Sequence, residues 1–189
     1  MVKRVFIVHG WGGSPEEGWF PWLKSELEKK GFVVNVLAMP DTDNPTIKKW
    51  VSFLDKSVGK ADKDTFFVGH SIGCQTVLRY AEKLNSQVGG AVFVGGWFSL
   101  NGLETDEEKA IAKSWLETPV DFEKVKAVIK KIVAIFSDND PWVPLDNTDV
   151  FKDKLNAKII IEKKKNHFSG SDNIKELPSA LNALLSISK

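Results

Sequence analysis

The chain predicts an α/β architecture: a sheet of about six parallel strands with helices on both faces, built as one domain over residues 1–189. Three observations carry this expectation. Short β-branched and aromatic runs alternate with longer stretches of helical periodicity, which calls for right-handed crossovers and parallel strands. The short runs are apolar at successive positions, as strands buried on both faces must be. Glycine-rich and polar turns follow most of these runs, at the sheet end where open parallel sheets gather ligands and catalytic groups.

Val2–Val8 is the first predicted strand, followed by the turn His9–Gly13. Trp19–Lys30 places Trp22, Leu23 and Leu27 at helical spacing, with Gly31 as the stop. Phe32–Leu37 is the second strand. Pro45 and Thr46 open a helix that aligns Ile47, Trp50, Val51 and Leu54 and fades by Gly59. Thr65–Val68 is the third strand, and a helix runs from Ser71 to about Leu84, with Val77, Ala81 and Leu84 toward the sheet. Val88–Val94, Ile132–Ser137 and Lys158–Glu162 are the remaining strands. A helix near Thr148–Leu155 links the last two, and the stretch from about Glu176 to Ser186 closes the chain.

Residues 98–131 break the rhythm with a polar loop and two helical patterns, about Asp106–Leu116 and Asp121–Ile129. The segment reads as a small cap over a site or as a long crossover, and its length favours the cap.

Composition narrows the function classes. Of the 189 residues 42% are apolar and 27% charged, as in an ordinary globular domain large enough to fold without staples. The 26 basic and 25 acidic residues leave a formal net charge of +1, so no electrostatic footprint calls for nucleic acid or an anionic membrane. The run Lys163–Lys165 and the pair Lys130–Lys131 read as solvated faces. Cys74 is the only cysteine, which excludes an internal disulfide and a cysteine metal cluster. The first apolar run is too short for a secretory leader, and no stretch approaches the roughly 18 apolar residues of a membrane span. The expectation is a cytoplasmic protein that needs no metal or cofactor.

The polar chemistry falls after successive strands. His9-Gly10-Trp11-Gly12-Gly13 follows the first and Gly69-His70-Ser71-Ile72-Gly73 the third. Gly95-Gly96-Trp97 follows the fourth, Ser137–Trp142 the fifth, and Asn166-His167-Phe168 comes shortly after the sixth. The pattern G-x-S-x-G weighs little alone. Preceded by a strand, followed by a helix, and matched by an acidic turn and a histidine farther on, it reads as a strained strand-to-helix turn presenting Ser71 as a nucleophile.

A serine hydroxyl needs a neighbouring base, and an imidazole such as that of His167 can serve near neutral pH. A carboxylate behind the ring fixes its tautomer. Asp138 and Asp140 both follow the fifth strand, and either could instead form an Asx turn with the backbone two residues on. The N–H of Ile72, at the start of the Ser71 helix, and the N–H of Trp11 are expected to form an oxyanion hole. Of the other histidines, His9 lies in the oxyanion turn and His70 on the wrong side of the serine turn. Cys74, one helical turn beyond Ser71, reads as a small buried hydrophobe. Trp97 and Trp142, like Trp11, follow strand ends and are candidate walls of an apolar substrate pocket, whereas Trp19, Trp22 and Trp50 read as packing.

With these motifs in order, the sequence resembles the α/β-hydrolases, and more narrowly the small serine hydrolases of the retinoblastoma-binding protein nine and YdeN type. The narrower resemblance rests on W-F-P-W-L-K (Trp19–Lys24), M-P-D (Met39–Asp41), G-H-S-I-G-C (Gly69–Cys74), D-N-D-P-W-V-P (Asp138–Pro144) and N-H-F (Asn166–Phe168). It implies an α/β-hydrolase-like three-layer sandwich with a small or absent cap. The D-x-x-V-P turn common among α/β-hydrolases selects Asp140 as the acid. Asn166 stands where the family usually has glycine before the histidine, and asparagine tolerates the left-handed backbone such a position takes.

The expected activity is cleavage of small ester, thioester or amide substrates through an acyl-enzyme, with Ser71, His167 and Asp140 as the triad. Serine rather than aspartate at the turn argues against dehalogenase and epoxide-hydrolase chemistry. His9–Gly13 lacks the lysine and the spacing of a phosphate loop. The alternative is a protein-interaction module on the same architecture, with an idle triad.

Overall fold

The computed structural model describes residues 2–189. Six parallel strands form one sheet: β1 (Arg4–Val8), β2 (Val33–Leu37), β3 (Thr65–His70), β4 (Gly90–Val94), β5 (Ile132–Ser137) and β6 (Lys158–Glu162), in the order β2-β1-β3-β4-β5-β6. Seven α-helices connect or close them: α1 (Phe20–Glu28), α2 (Ile47–Val58), α3 (Ile72–Ala81), α4 (Asp106–Glu117), α5 (Phe122–Val128), α6 (Asn147–Leu155) and α7 (Pro178–Ile187). All six predicted strands are present, in parallel.

The two-residue period of each strand divides the core into two layers. Val5, Ile7, Phe66, Val68, Val92, Val94, Val133 and Ile135 pack with Phe20, Leu23 and Leu27 of α1 and Ala180, Ala183 and Leu184 of α7. The alternate residues, Phe6, Val8, Phe67, Ala91, Phe93, Ala134 and Phe136, pack with α2, α3, α5 and α6 on the opposite face. Trp19 and Trp50 are fully buried, one in each layer, and Trp22 packs half-buried against the first.

Several boundaries differ from the sequence expectation for local reasons. β3 continues two residues further, through Gly69 and His70, which pair with Phe93 and Val94 of β4. The fourth strand starts at Gly90 because Val88 makes only an isolated bridge to Ile129. α3 ends at Ala81 instead of Leu84, and all ten of its residues are buried, since α2, α5 and the sheet enclose it. Arg79 is consequently buried, and its guanidinium donates to the carbonyl oxygens of Trp115, Thr118 and Pro119, fastening the C-terminal end of α4. A basic residue on a short helix carries no sequence signal for that task.

Residues 98–131 lie largely on the α3 side of the sheet. Trp115 of α4 is buried edge-on against Trp50, at 6.3 Å between ring centroids, and donates from Nε1 to the Pro45 carbonyl. Val125 and Val128 of α5 join the same layer, and Phe98 packs on Phe122. Thr105 and Glu108 form a reciprocal cap at the start of α4. Of this segment only the loop through Leu100 and Leu103, with Glu108, borders the cleft described next.

Candidate active site

The turns after β1, β3, β4 and β5 and the loop after β6 converge at the carboxyl end of the sheet on a cleft of about 400 Å³. Ser71 sits at the turn between β3 and α3 with φ 54° and ψ −123°, a conformation that L-residues rarely adopt and that costs about 1–3 kcal/mol. Close packing holds it there. A Cβ on Gly69 would come within 2.8 Å of the Cys74 backbone, and one on Gly73 would overlap the Val8 carbonyl oxygen and lie 2.7 Å from that of His9. Glycine at both positions lets the first turn of α3 rest directly on the end of β1.

Ser71 is 9% exposed and opens onto the cleft. Its hydroxyl lies 2.8 Å from Nε2 of His167, and Nδ1 of His167 lies 2.7 Å from Oδ2 of Asp140. The carboxylate therefore accepts the Nδ1 proton, leaving Nε2 to accept from the serine hydroxyl. Asp140, not Asp138, is the acid that meets the imidazole. Its other oxygen accepts the N–H groups of Trp142 and Val143, so Asp140 also makes the Asx turn that the sequence offered as its alternative use. The Asp140 side chain is only 2% exposed. Asp138 is exposed and accepts from the Lys164 N–H, pinning the loop after β6.

The two expected oxyanion donors, the N–H groups of Ile72 and Trp11, have no acceptor among the described residues. Ile72 is the first residue of α3, where intrahelical partners are lacking. The Trp11 turn is set by His9, whose Nδ1 donates to the Gly10 carbonyl while Nε2 accepts the Met39 N–H. Burial lowers the pKa of His9, which holds that ring neutral. Trp11 and the buried Trp97 line the cleft, as does Trp142, which is 40% exposed and stands edge-on to the His167 ring at 5.2 Å. Cys74 is fully buried with its sulfur toward the Val94 carbonyl, and burial raises its thiol pKa, so it packs as a hydrophobe.

The segment bearing His167 is held differently. Asn166 and Phe168 both have left-handed backbones, with φ 47° and 58°. Asn139 donates from Nδ2 to the Asn166 side-chain oxygen and accepts the Asn166 N–H. Asp172, in the single 3₁₀ turn Gly170–Asp172, accepts from the N–H groups of His167 and Ser169 and from the Ser169 hydroxyl. Burial opposes the charge on Asp172, but these hydrogen bonds outweigh it and lower its pKa.

Asn139 and Asp172 had no role in the sequence reading, and neither did Gly95, Glu17 or Glu108. Gly95 has φ 55°, and a Cβ there would lie 3.3 Å from the His167 ring and 3.8 Å from Asp140 Oδ2, so this glycine leaves room for the acid–base pair. A glycine pair at a strand end was the only hint. Glu17 and Glu108 line the cleft, the Glu108 carboxylate accepting the Glu104 and Thr105 N–H groups at the start of α4, and burial raises the pKa of Glu17 against a hydrogen bond from the Ser14 backbone. His70, dismissed as a base, is buried beside His167. Among the described residues no cluster of His, Cys, Asp and Glu could hold a metal ion, and no helix is long and apolar enough to cross a membrane.

The fold and the serine turn define an α/β-hydrolase. Residues 5–186 match the family model described as serine hydrolase, and the chain belongs to that family. It is 29% identical to YdeN of Bacillus subtilis over 189 residues, covering 98% of this chain and 96% of that protein. It is 28% identical to the serine hydrolase RBBP9 of Rattus norvegicus over 172 residues, 89% of each chain. The crystal structure of the B. subtilis ydeN gene product superposes with a TM-score of 0.90 at 27% identity, over 98% of both chains. The protein is a hydrolytic enzyme.

Proposed function

We propose that the enzyme is a carboxylesterase-like serine hydrolase that cleaves small ester, thioester or amide substrates with a Ser71–His167–Asp140 triad. The observation that carries this reading is the unbroken hydrogen-bond chain from the Ser71 hydroxyl through both His167 nitrogens to Asp140, at 2.8 and 2.7 Å. Ser71 Oγ attacks the substrate carbonyl carbon as His167 Nε2 takes its proton. The carbonyl oxygen becomes an oxyanion between the N–H groups of Ile72 and Trp11, each such donor being worth about 10²–10³ in kcat. Collapse of the tetrahedral adduct breaks the bond to the leaving group, which departs with the proton from His167. Water, deprotonated by the same imidazole, then cleaves the acyl-enzyme, releases the acid and restores Ser71.

Trp11, Trp97, Leu100, Leu103 and Trp142 supply apolar walls, and Glu17 and Glu108 supply the only ionisable carboxyls among the cleft-lining residues, with no lysine or arginine there. Neutral esters with short or medium acyl chains suit this lining, and esters that carry a carboxylate meet like charge. The segment 98–131 acts as a crossover whose loop edges the cleft.

A fluorophosphonate probe tests the triad: labelling of the wild type that disappears in Ser71→Ala supports the reading, and no labelling between pH 6 and 9 would sink it. On a p-nitrophenyl ester panel of graded chain length, a carboxylated acyl group should lower kcat/KM by about tenfold against its neutral counterpart, and added salt should narrow the gap.

A further inference from the structure

His70 precedes the nucleophile and has no part in the proton transfers of the triad, yet it is buried directly beside them. It is 3% exposed, and its ring lies 5.0 Å from that of His167, with Trp19 and Phe20 packed around it at 6.1 and 6.0 Å. Its Nε2 lies 2.7 Å from the backbone carbonyl oxygen of His167. A carbonyl can only accept, so Nε2 carries the proton. Nδ1, which has no hydrogen-bond partner among the described residues, is then the bare nitrogen, facing Gly10.

We propose that His70 is a positioning residue, whose Nε2–H ties the backbone of the base to the strand that carries the nucleophile. The inference rests on the reading of Ser71 and His167 as nucleophile and base. Asn166 and Phe168, either side of His167, both hold left-handed backbones, which for the bulky Phe168 costs about 1–2 kcal/mol, so the segment relaxes unless it is tied down. Two consecutive carbonyls are gripped from the core: that of His167 by His70 and that of Phe168 by the indole N–H of buried Trp19. Only the first grip comes from β3, one residue before Ser71. It therefore couples the position of Nε2 of His167 to that of the Ser71 hydroxyl.

The ionisable groups facing His70 are His167, Asp140 and, across the β1 turn, His9. Burial, with the neighbouring His167 ring second, pushes the pKa of His70 down to about 3, so the neutral donor persists through the working pH range.

The test compares His70→Leu, which removes the donor, with His70→Gln, whose side-chain amide retains one. Turnover of p-nitrophenyl acetate is expressed per site titrated with fluorophosphonate, so that loss of folded protein does not count. His70→Leu should lower kcat by about tenfold or more with KM within about twofold, as expected for misplaced catalytic groups, and His70→Gln should recover most of the loss. A Leu variant with wild-type kcat per titrated site, or a Gln variant no better than Leu, would overturn the proposal while the labelling of Ser71 still stood. A wild type that does not label overturns the triad and the proposal with it. Should His70→Leu not fold, ¹⁵N spectra of the wild-type histidine rings decide: a neutral Nε2–H tautomer of His70 unchanged from pH 5 to 8 supports the bond, and an Nδ1–H tautomer or a midpoint near 6.5 removes it.

Discussion

The serine turn and the histidine loop meet through the 2.8 Å contact of Ser71 Oγ with His167 Nε2, and both contain backbone in the left-handed half of conformational space, but different forces hold them. The serine turn is fixed by backbone against backbone: Gly69 and Gly73 let β3, α3 and β1 touch with no room for a methyl group. The histidine loop is fixed by polar side chains, with Asn139, Asp172, Trp19 and His70 each taking a backbone group of the segment 166–169. Close packing is all-or-none, because a void or a clash spreads through the core. Hydrogen bonds can be removed singly, each for a modest loss. The nucleophile should therefore break under one substitution, whereas the base should degrade in steps.

The largest effect is expected at the packed turn. Gly73→Ala puts a methyl group into the Val8 and His9 carbonyls and should cost about 3 kcal/mol or more, read as lost soluble protein or a collapsed Tm. Next, Asp140→Asn keeps an acceptor for the Trp142 and Val143 N–H groups but no longer fixes the His167 tautomer. It should lower kcat about 10⁴-fold while leaving the melting temperature nearly unchanged. In the histidine loop Asp172→Ala strips three hydrogen bonds at once, and a fall in kcat of about tenfold is expected, well short of the Asp140 effect.

Acidification probes the same loop through His70. Its folded pKa of about 3 lies below the unfolded value of 6.5, so the unfolded state binds the extra proton first. The stability due to a neutral His70 is complete above pH 6.5 and is lost as pH falls from 6.5 toward 3, by about 2 kcal/mol at pH 5. The lowered pKa of His9 acts in the same direction. Urea midpoints at pH 7 and 5 measure the change, which should shrink in His70→Leu. The smallest effect belongs to Asp138→Asn, expected to leave kcat within about threefold, because Asp138 only pins the Lys164 N–H at an exposed loop. If that substitution abolished turnover and Asp140→Asn did not, the acid would be wrongly assigned.

Much of this arrangement was legible in the sequence because its signals are local. Val5–Val8 or Ile132–Phe136 declares a buried strand through apolar neighbours alone, and Thr46 ahead of Ile47-x-x-Trp50-Val51 declares a capped helix. Ser71 between Gly69 and Gly73 was readable because the steric demand of that turn is met by residues within two positions. Asn166 was readable as a left-handed position for the same reason, and its φ of 47° agrees.

Three-dimensional packing decided what depends on partners far along the chain. Asp138 and Asp140 have the same chemistry two residues apart; the D-x-x-V-P pattern points to Asp140, but the bond itself needs His167 to approach from 27 positions away. His70 meets His167 across 97 positions and Arg79 meets Trp115 across 36, so neither role has a local spacing to betray it. Glu17 and Glu108 come to one cleft from segments that share no periodicity. The sequence by itself determined the strands, the order of helices and the strained serine turn, because hydrophobic period and glycine sterics act over a few residues. The grip on the base and the charge of the cleft were left to tertiary structure, because a hydrogen bond or a Coulomb field is set by distance in space and not by distance along the chain.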